Sequence, residues 1–162
     1  AVSRGYDGGK KINGRRRHVI TDCLGLLLMV LVTAGNVTDR QAAHVMLPRL
    51  RERFAAITLV WADNGYTGRL VTWAKEKLQI TLQIVKRSDD MSGFVVLPRR
   101  WVVERSLGWL MCSRRLVRDF ETLPSSSEAF IYFSQAMLIS RRLARSASRT
   151  RPGQQSRWAA AA

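Results

Sequence analysis

Two acidic residues stand apart from the others in this chain. Asp63 closes an apolar run, Leu59-Val60-Trp61-Ala62, and is followed by Asn64-Gly65-Tyr66. A carboxylate at the C-terminal end of a strand in an open α/β sheet sits where ligands commonly bind. The same Asp-Asn-Gly string is also ordinary turn chemistry, in which the Asp accepts from an amide two residues on, and locally the turn is the stronger explanation. Glu104 lies in Arg99-Arg100-Trp101-Val102-Val103-Glu104-Arg105, an acid embedded in a basic stretch. On a helix it shares a stripe with Arg100, Met111 and Arg115. Taken alone, it forms an i,i+4 ion pair with Arg100 worth roughly 0.2–0.5 kcal/mol. Its alternative role is a metal-binding carboxylate beside cations that hold phosphate. Taken together, the two acids suit phosphoryl transfer, where carboxylates surround Mg²⁺ ions roughly 4 Å apart. Magnesium itself takes only a few carboxylates and fills its shell with water and substrate phosphate.

The other acids fit plainer roles. Asp7, Asp89 and Asp90 fall in Gly- or Ser-containing loops, Asp39 at a helix start, and Glu52, Glu76, Glu121 and Glu128 in solvated or capping positions. Asp22 and Asp119 stay open. His18, His44, Cys23 and Cys112 lie far apart and give neither zinc-ligand spacing nor a local Cys–His pair. No G-x-S-x-G, P-loop or G-x-G-x-x-G string occurs.

The surroundings of these acids are strongly basic. The 162 residues include 27 Lys plus Arg against 12 Asp plus Glu, a formal charge of +15 and a sequence pI of about 11.4. Such an excess calls for a polyanionic partner, nucleic acid first and an anionic membrane surface second. A hydrophobic content of 46% excludes disorder over the whole chain and suits one domain. Two distant cysteines exclude a disulfide scaffold and read as free thiols in a reducing compartment. The longest apolar run, Leu24 to Val32, is about half the ~20 residues needed to span a bilayer, and the basic N-terminus has no signal-peptide h-region.

The elements that would position the acids follow from patterning. Residues 1–17 are polar, basic and Gly-rich, and include Lys10, Lys11 and Arg15-Arg16-Arg17. Strands are expected at His18–Asp22 and Leu26–Thr33, joined through Cys23-Leu24-Gly25, with the second strand covered on both faces because every position is apolar. A helix starts at Thr38 or Asp39, and Pro48 predicts a kink or break in it. A strand at Ile57–Ala62, a helix at Gly68–Leu78 and a strand at Ile80–Val85 come next, then a loop from Lys86 to Gly93. A basic, Trp-rich helix is expected from about Arg99 to Leu116. Ser125-Ser126-Ser127-Glu128 predicts a capping box opening a last helix to about Arg145. The order β-β-α-β-α-β-loop-α-α makes a mixed α/β domain over residues 1–145, with a disordered basic tail at 146–162.

Several strings in this order carry a resemblance. Gly5-Tyr6-Asp7-Gly8-Gly9-Lys10-Lys11, Gly14-Arg15-Arg16-Arg17-His18 and Asp22-Cys23-Leu24-Gly25-Leu26-Leu27 resemble bacterial insertion-sequence transposases of the IS5 group. Trp61-Ala62-Asp63-Asn64-Gly65-Tyr66 resembles their second catalytic-Asp motif, and Pro98-Arg99-Arg100-Trp101-Val102-Val103-Glu104-Arg105 the block with their catalytic Glu. The likeness runs in order from about Arg4 to Arg145. It implies a ribonuclease-H-like fold, a mixed sheet with flanking helices, and a DDE active site that cuts and joins DNA with two Mg²⁺ or Mn²⁺ ions. Asp63 and Glu104 are then catalytic metal ligands, and Arg100 matches a family arginine. Leu97 stands where many relatives have Tyr, and Met111 where they often have Lys, with Arg114 or Arg115 as the expected substitute.

The resemblance also implies a first catalytic Asp, on a strand upstream of the Gly-Tyr-Asp block. The chain starts at Ala1, so the expectation is the C-terminal part of a catalytic domain, with its first strand and first Asp missing and inactive by itself. Asp22 ends the next strand, where it could approach the site, but it is not expected to replace the missing Asp. Double-stranded DNA is the implied partner, held by Lys10, Lys11, Arg15, Arg16, Arg17, Arg100, Arg114 and Arg115, with a homodimer and a bacterial cytoplasmic location. The alternative is a non-catalytic DNA-binding remnant of a transposase.

Overall fold

A computed structural model describes residues 3–85 and 98–149, with side chains for 3–85 and 101–145. The expected loop after Lys86, Leu97 and residues 150–162 of the expected tail lie outside the described residues. Three antiparallel strands, β1 (Gly5–Asp7), β2 (Ile12–Thr21) and β3 (Leu27–Ala34), form one sheet in the order β1-β2-β3. A parallel pair, β4 (Leu59–Ala62) and β5 (Thr81–Ile84), forms a second. The helices are α1 (Asp39–Arg53), α2 (Arg69–Leu78), α3 (Pro98–Met111), α4 (Arg114–Val117) and α5 (Pro124–Arg149). The expected mixed α/β architecture is present. Among the described residues no helix is long and apolar enough to cross a membrane.

The hairpin β2–β3 is the wall between two cores. Alternate residues of a strand point to opposite faces, and β3 is apolar on both. Met29, with Leu31 beside it, packs against Ala43, Met46, Leu47 and Leu50 of α1, Leu70 and Ala74 of α2, and Leu82 of β5. Val30 and Val32 point the other way, onto Leu110, Leu116 and Ile131. The unbroken apolar run of β3 thus has the two-sided cover expected of it. Its outer edge is closed by side chains of α5: Val30 N–H donates to Tyr132 Oη at 3.2 Å and Val32 N–H to Glu128 Oε1 at 2.8 Å. Such cover removes the unpaired amides that make an open edge adhesive.

The turn between β2 and β3 is built by Asp22, whose Oδ1 accepts from the amides of Leu24 (2.9 Å) and Leu26 (2.7 Å). Gly25 there has φ +81°, and a Cβ on it would lie 2.8 Å from Ser106 Oγ, so glycine is required twice over. β2 itself starts at Ile12, not His18. The three arginines expected in a polar arm are inside the strand, because protein acceptors receive each of them: Asp119 pairs with Arg15, Asp7 with Arg16, and Arg17 donates to the Leu116 carbonyl.

Four further expectations are corrected. Pro48 does not break α1, which runs on to Arg53 because Ala42, Ala43, Met46, Leu47 and Leu50 hold it on the core; Thr38 caps it with a Thr38–Gln41 capping box. The single basic helix is two helices, since the chain turns at Cys112-Ser113. Ser113 is extended and hydrogen-bonded to Ser134 Oγ, and Leu116 beyond the turn is buried in the second core. The capping box at Ser125–Glu128 does not form: α5 starts at Pro124, which suits a first helical position, and the Glu128 carboxylate closes the edge of β3. α5 also continues through Ser146 to Arg149, past its expected end.

Candidate active site at the end of strand β4

Asp63 follows β4 directly and caps a single 3-10 turn, Asn64–Tyr66. Its Oδ1 accepts the Gly65 N–H at 2.9 Å, and the residue is exposed. The turn chemistry of Asp-Asn-Gly and the strand-end position are therefore both real, and one does not displace the other. The turn packs against the start of α1, which brings up a second carboxylate. A Cβ placed on Gly65 would lie 3.1 Å from Asp63 Oδ1 and 3.3 Å from Asp39 Oδ2, so both acids lie close beside this glycine, where a side chain would crowd them.

Asp39 is in turn tied to the other sheet. Its Oδ1 lies 3.4 Å from His18 Nδ1 and 3.6 Å from an Arg16 nitrogen. Arg16 is anchored by Asp7 at 2.9 Å. The hydrogen bond from Arg16, followed by those from the Lys10 and Gly9 amides, holds the Asp7 carboxyl at about 2, well below its ordinary 3.8. His18 is buried and bonded through Nε2 to Thr33 Oγ1 at 2.9 Å. Burial pushes its imidazole below the ordinary value, with Asp39 opposing that shift. The Tyr66 phenol is pushed up to about 12, first by burial and then by the Asp39 and Asp63 charges. At neutral pH the cluster therefore holds Asp7 charged and Tyr66 as a neutral phenol.

Glu104 is on α3, exposed. That helix is docked on the β2–β3 turn: Ser106 Oγ donates to Gly25 O at 2.7 Å and Arg105 to Leu24 O at 3.0 Å. The turn is at the Thr21–Leu27 end of the hairpin, whereas α1 leaves from the Ala34 end, beside Arg15. The described residues bring Asp39 close to Asp63, and among them no group of three or more His, Cys, Asp or Glu is placed to hold a metal ion. Asp22 spends its carboxylate on the hairpin turn.

The basic residues divide into two kinds. Lys10 and Lys11 are exposed on the β1–β2 connection, whose shape Asp7 sets by accepting from the Gly9 and Lys10 amides. Arg114 is exposed on α4. Arg15 is different: its side chain is 2% exposed and donates to Asp119 at 3.0 Å, to Ser3 and to the Thr122 carbonyl. Arg17 donates to Leu116 O, and Arg115 pairs with Glu121 at 2.9 Å while lying over the Phe130 ring. Because the helix ends at Met111, Arg115 is no longer in line with Glu104. Arg100 lies in the first turn of α3, where side chains are not described.

The family model described as "Transposase DDE domain" matches residues 1–133. The chain belongs to the transposase DDE-domain family. It is also 30% identical over 125 residues to the "Putative transposase for insertion sequence element IS402" of Burkholderia cepacia, a match covering 73% of this chain and 59% of that relative. The chain thus spans about three fifths of the length of the curated relative it matches. No solved structure matches it. For a DDE-domain protein the donors around Gly65 have suitable chemistry. Asp63 and Asp39 present hard carboxylate oxygens, the ligands that Mg²⁺ or Mn²⁺ prefer, and magnesium completes its shell with water and phosphate. Asp39 was legible in the sequence only as a helix start. Its approach to Asp63 depends on α1 folding back over the turn, and the sole local signal was Gly65, the residue without a side chain beside them.

Proposed function

We propose that this chain is the catalytic part of an IS5-group transposase with a ribonuclease-H-like fold, acting on double-stranded DNA by metal-dependent strand cleavage and transfer. The observation that carries this is the exposed Asp63 carboxylate, fixed at the C-terminal end of β4 by the Gly65 amide, in a chain of the DDE-domain family. Asp63 and Glu104 are the proposed ligands of the divalent ions; the family resemblance supports Glu104. When bound, such ions supply Lewis-acid stabilisation of charge on the phosphate under attack. The chain's own groups bind and orient. Lys10, Lys11 and Arg114, all exposed, are proposed to hold backbone phosphates, and Arg100 to act beside Glu104. Arg15, whose side chain is 2% exposed, shapes the surface from beneath, while Arg16, Arg17 and Arg115, which also donate to protein acceptors, are proposed as further phosphate contacts. A dimer working on paired element ends follows the family.

The test is strand cleavage by the protein expressed from its full reading frame, on DNA carrying the element's ends, with Mg²⁺ or Mn²⁺. Cleavage should need the metal and be lost in Asp63→Ala and Glu104→Ala. A protein that cuts equally well with Asp63→Ala refutes the assignment. Tight, salt-sensitive DNA binding with no turnover in any metal would mark a binding module instead.

A further inference from the structure

Asp39 is the acid in the first turn of α1, which Thr38 caps through Gln41. Its two oxygens face different parts of the molecule. Oδ1 faces His18 and Arg16 of β2 at 3.4 and 3.6 Å. Oδ2 lies near Gly65, 3.3 Å from where a Cβ on that glycine would sit, as Asp63 Oδ1 does at 3.1 Å. Among the described residues the sheet containing β2 and the sheet containing β4 share no strand pairing, and Asp39, paired with β2 and lying beside Gly65, stands between one sheet and the turn at the end of the other. Arg16 is itself held by Asp7, which makes a chain of alternating charge, Asp7–Arg16–Asp39, ending next to Asp63.

We propose that Asp39 is a positioning residue for Asp63, fixing the 3-10 turn against β2 and placing a second negative charge beside the cation that Asp63 holds. This rests on the reading of Asp63 as a cation ligand. Two carboxylates brought this close to one glycine repel. Asp63 is restrained by the Gly65 amide and Asp39 by Arg16 and His18, so the fold keeps both acids there. A divalent cation at Asp63 gains from the added charge, and the turn gains a fixed orientation. Asparagine at position 39 keeps the shape and loses the charge. Glutamate keeps the charge at a different reach.

The test uses this chain with Mn²⁺ as probe, free Mn²⁺ being followed by electron paramagnetic resonance. The Gly65 amide is followed in parallel by ¹⁵N NMR, and the Tyr66 phenol by ultraviolet titration. Wild type should bind Mn²⁺ and Asp63→Asn should lose it. Asp39→Asn should weaken binding by about threefold to tenfold, the scale of one nearby unit charge. It should also shift the Gly65 amide and lower the Tyr66 titration, while Asp39→Glu should recover binding to within about twofold of wild type. If wild type binds no Mn²⁺ yet Asp39→Asn moves both Gly65 and Tyr66, the cation assignment of Asp63 fails and the positioning by Asp39 stands. If Asp39→Asn is folded and leaves Mn²⁺ binding, the Gly65 amide and the Tyr66 titration at wild-type values, the proposal is overturned.

Discussion

Arg15 and Asp119 allow a quantitative trial of how the arginines of β2 are used. The Arg15 side chain is 2% exposed and donates to Asp119 Oδ2 (3.0 Å), Ser3 O (2.9 Å), Ser3 Oγ (2.8 Å) and the Thr122 carbonyl. Asp119→Ala leaves that guanidinium buried with neutral acceptors only. Removing one partner of a fully buried pair costs ~3–5 kcal/mol. The Asp119 side chain is 21% exposed, so water relieves part of this, and about 2–3 kcal/mol is the expected loss. At about 2–4 °C per kcal/mol for a chain of this size, the melting temperature should fall by about 5–10 °C. Circular dichroism melts at low and high salt provide the assay, and the loss should persist in high salt because a buried pair is poorly screened. Arg15→Met, which removes the charge and keeps an apolar stem, should cost less than Asp119→Ala. The reasoning fails if Asp119→Ala melts within about 1 °C of wild type. It also fails if Arg15→Met leaves the melt unchanged and lowers the salt dependence of DNA binding, for Arg15 would then be a phosphate contact.

The exposed Lys10 and Lys11 should behave in the opposite way. Each alanine substitution should reduce the slope of log affinity against log salt by about 1 with no change in melting, measured by fluorescence anisotropy on duplex DNA. Glu128→Ala strips the partner from the Val32 amide; an unsatisfied buried donor costs ~1–3 kcal/mol, and amide exchange at Val32 should accelerate. Acid stability should show the Asp7–Arg16 pair. With the Asp7 carboxyl at about 2 when folded and 3.8 as its ordinary value, the unfolded chain binds the proton more readily. The contribution is thus complete above pH 4 and is lost as pH falls from 3.8 through 2, and Arg16→Met should remove it from an acid-unfolding curve.

Much of the scaffold is legible because its signals are local. The unbroken apolar run of β3 announces a strand covered on both faces, and two cores cover it. The spacing of Leu70 and Ala74 announces α2, and Asp63 announces its own turn. What was not legible depends on partners distant in sequence. Arg15 to Arg17 look like a basic arm until Asp119, Asp7 and the Leu116 carbonyl meet them. Glu128 looks like a cap until β3 offers it an amide. The break at Ser113 follows from a bond to Ser134 and from the burial of Leu116. Asp39 and Asp63 are 24 positions apart in the numbering and meet only because α1 folds back over the turn. The helix of Glu104 is another case: Ser106 and Arg105 anchor it to the hairpin turn, contacts that its local sequence does not announce.

The central claim is that Asp63 is a ligand of a divalent cation, and iron-directed cleavage tests it most directly. Fe²⁺ can occupy Mg²⁺ or Mn²⁺ sites and, with ascorbate and peroxide, releases radicals that cut the backbone next to where it binds. The expected result is a set of cuts around residues 63–66, around 39 at the start of α1 and around 104, suppressed by excess Mn²⁺ and absent in Asp63→Asn. Cuts elsewhere in the chain, or a pattern that Asp63→Asn leaves unchanged, would contradict the claim.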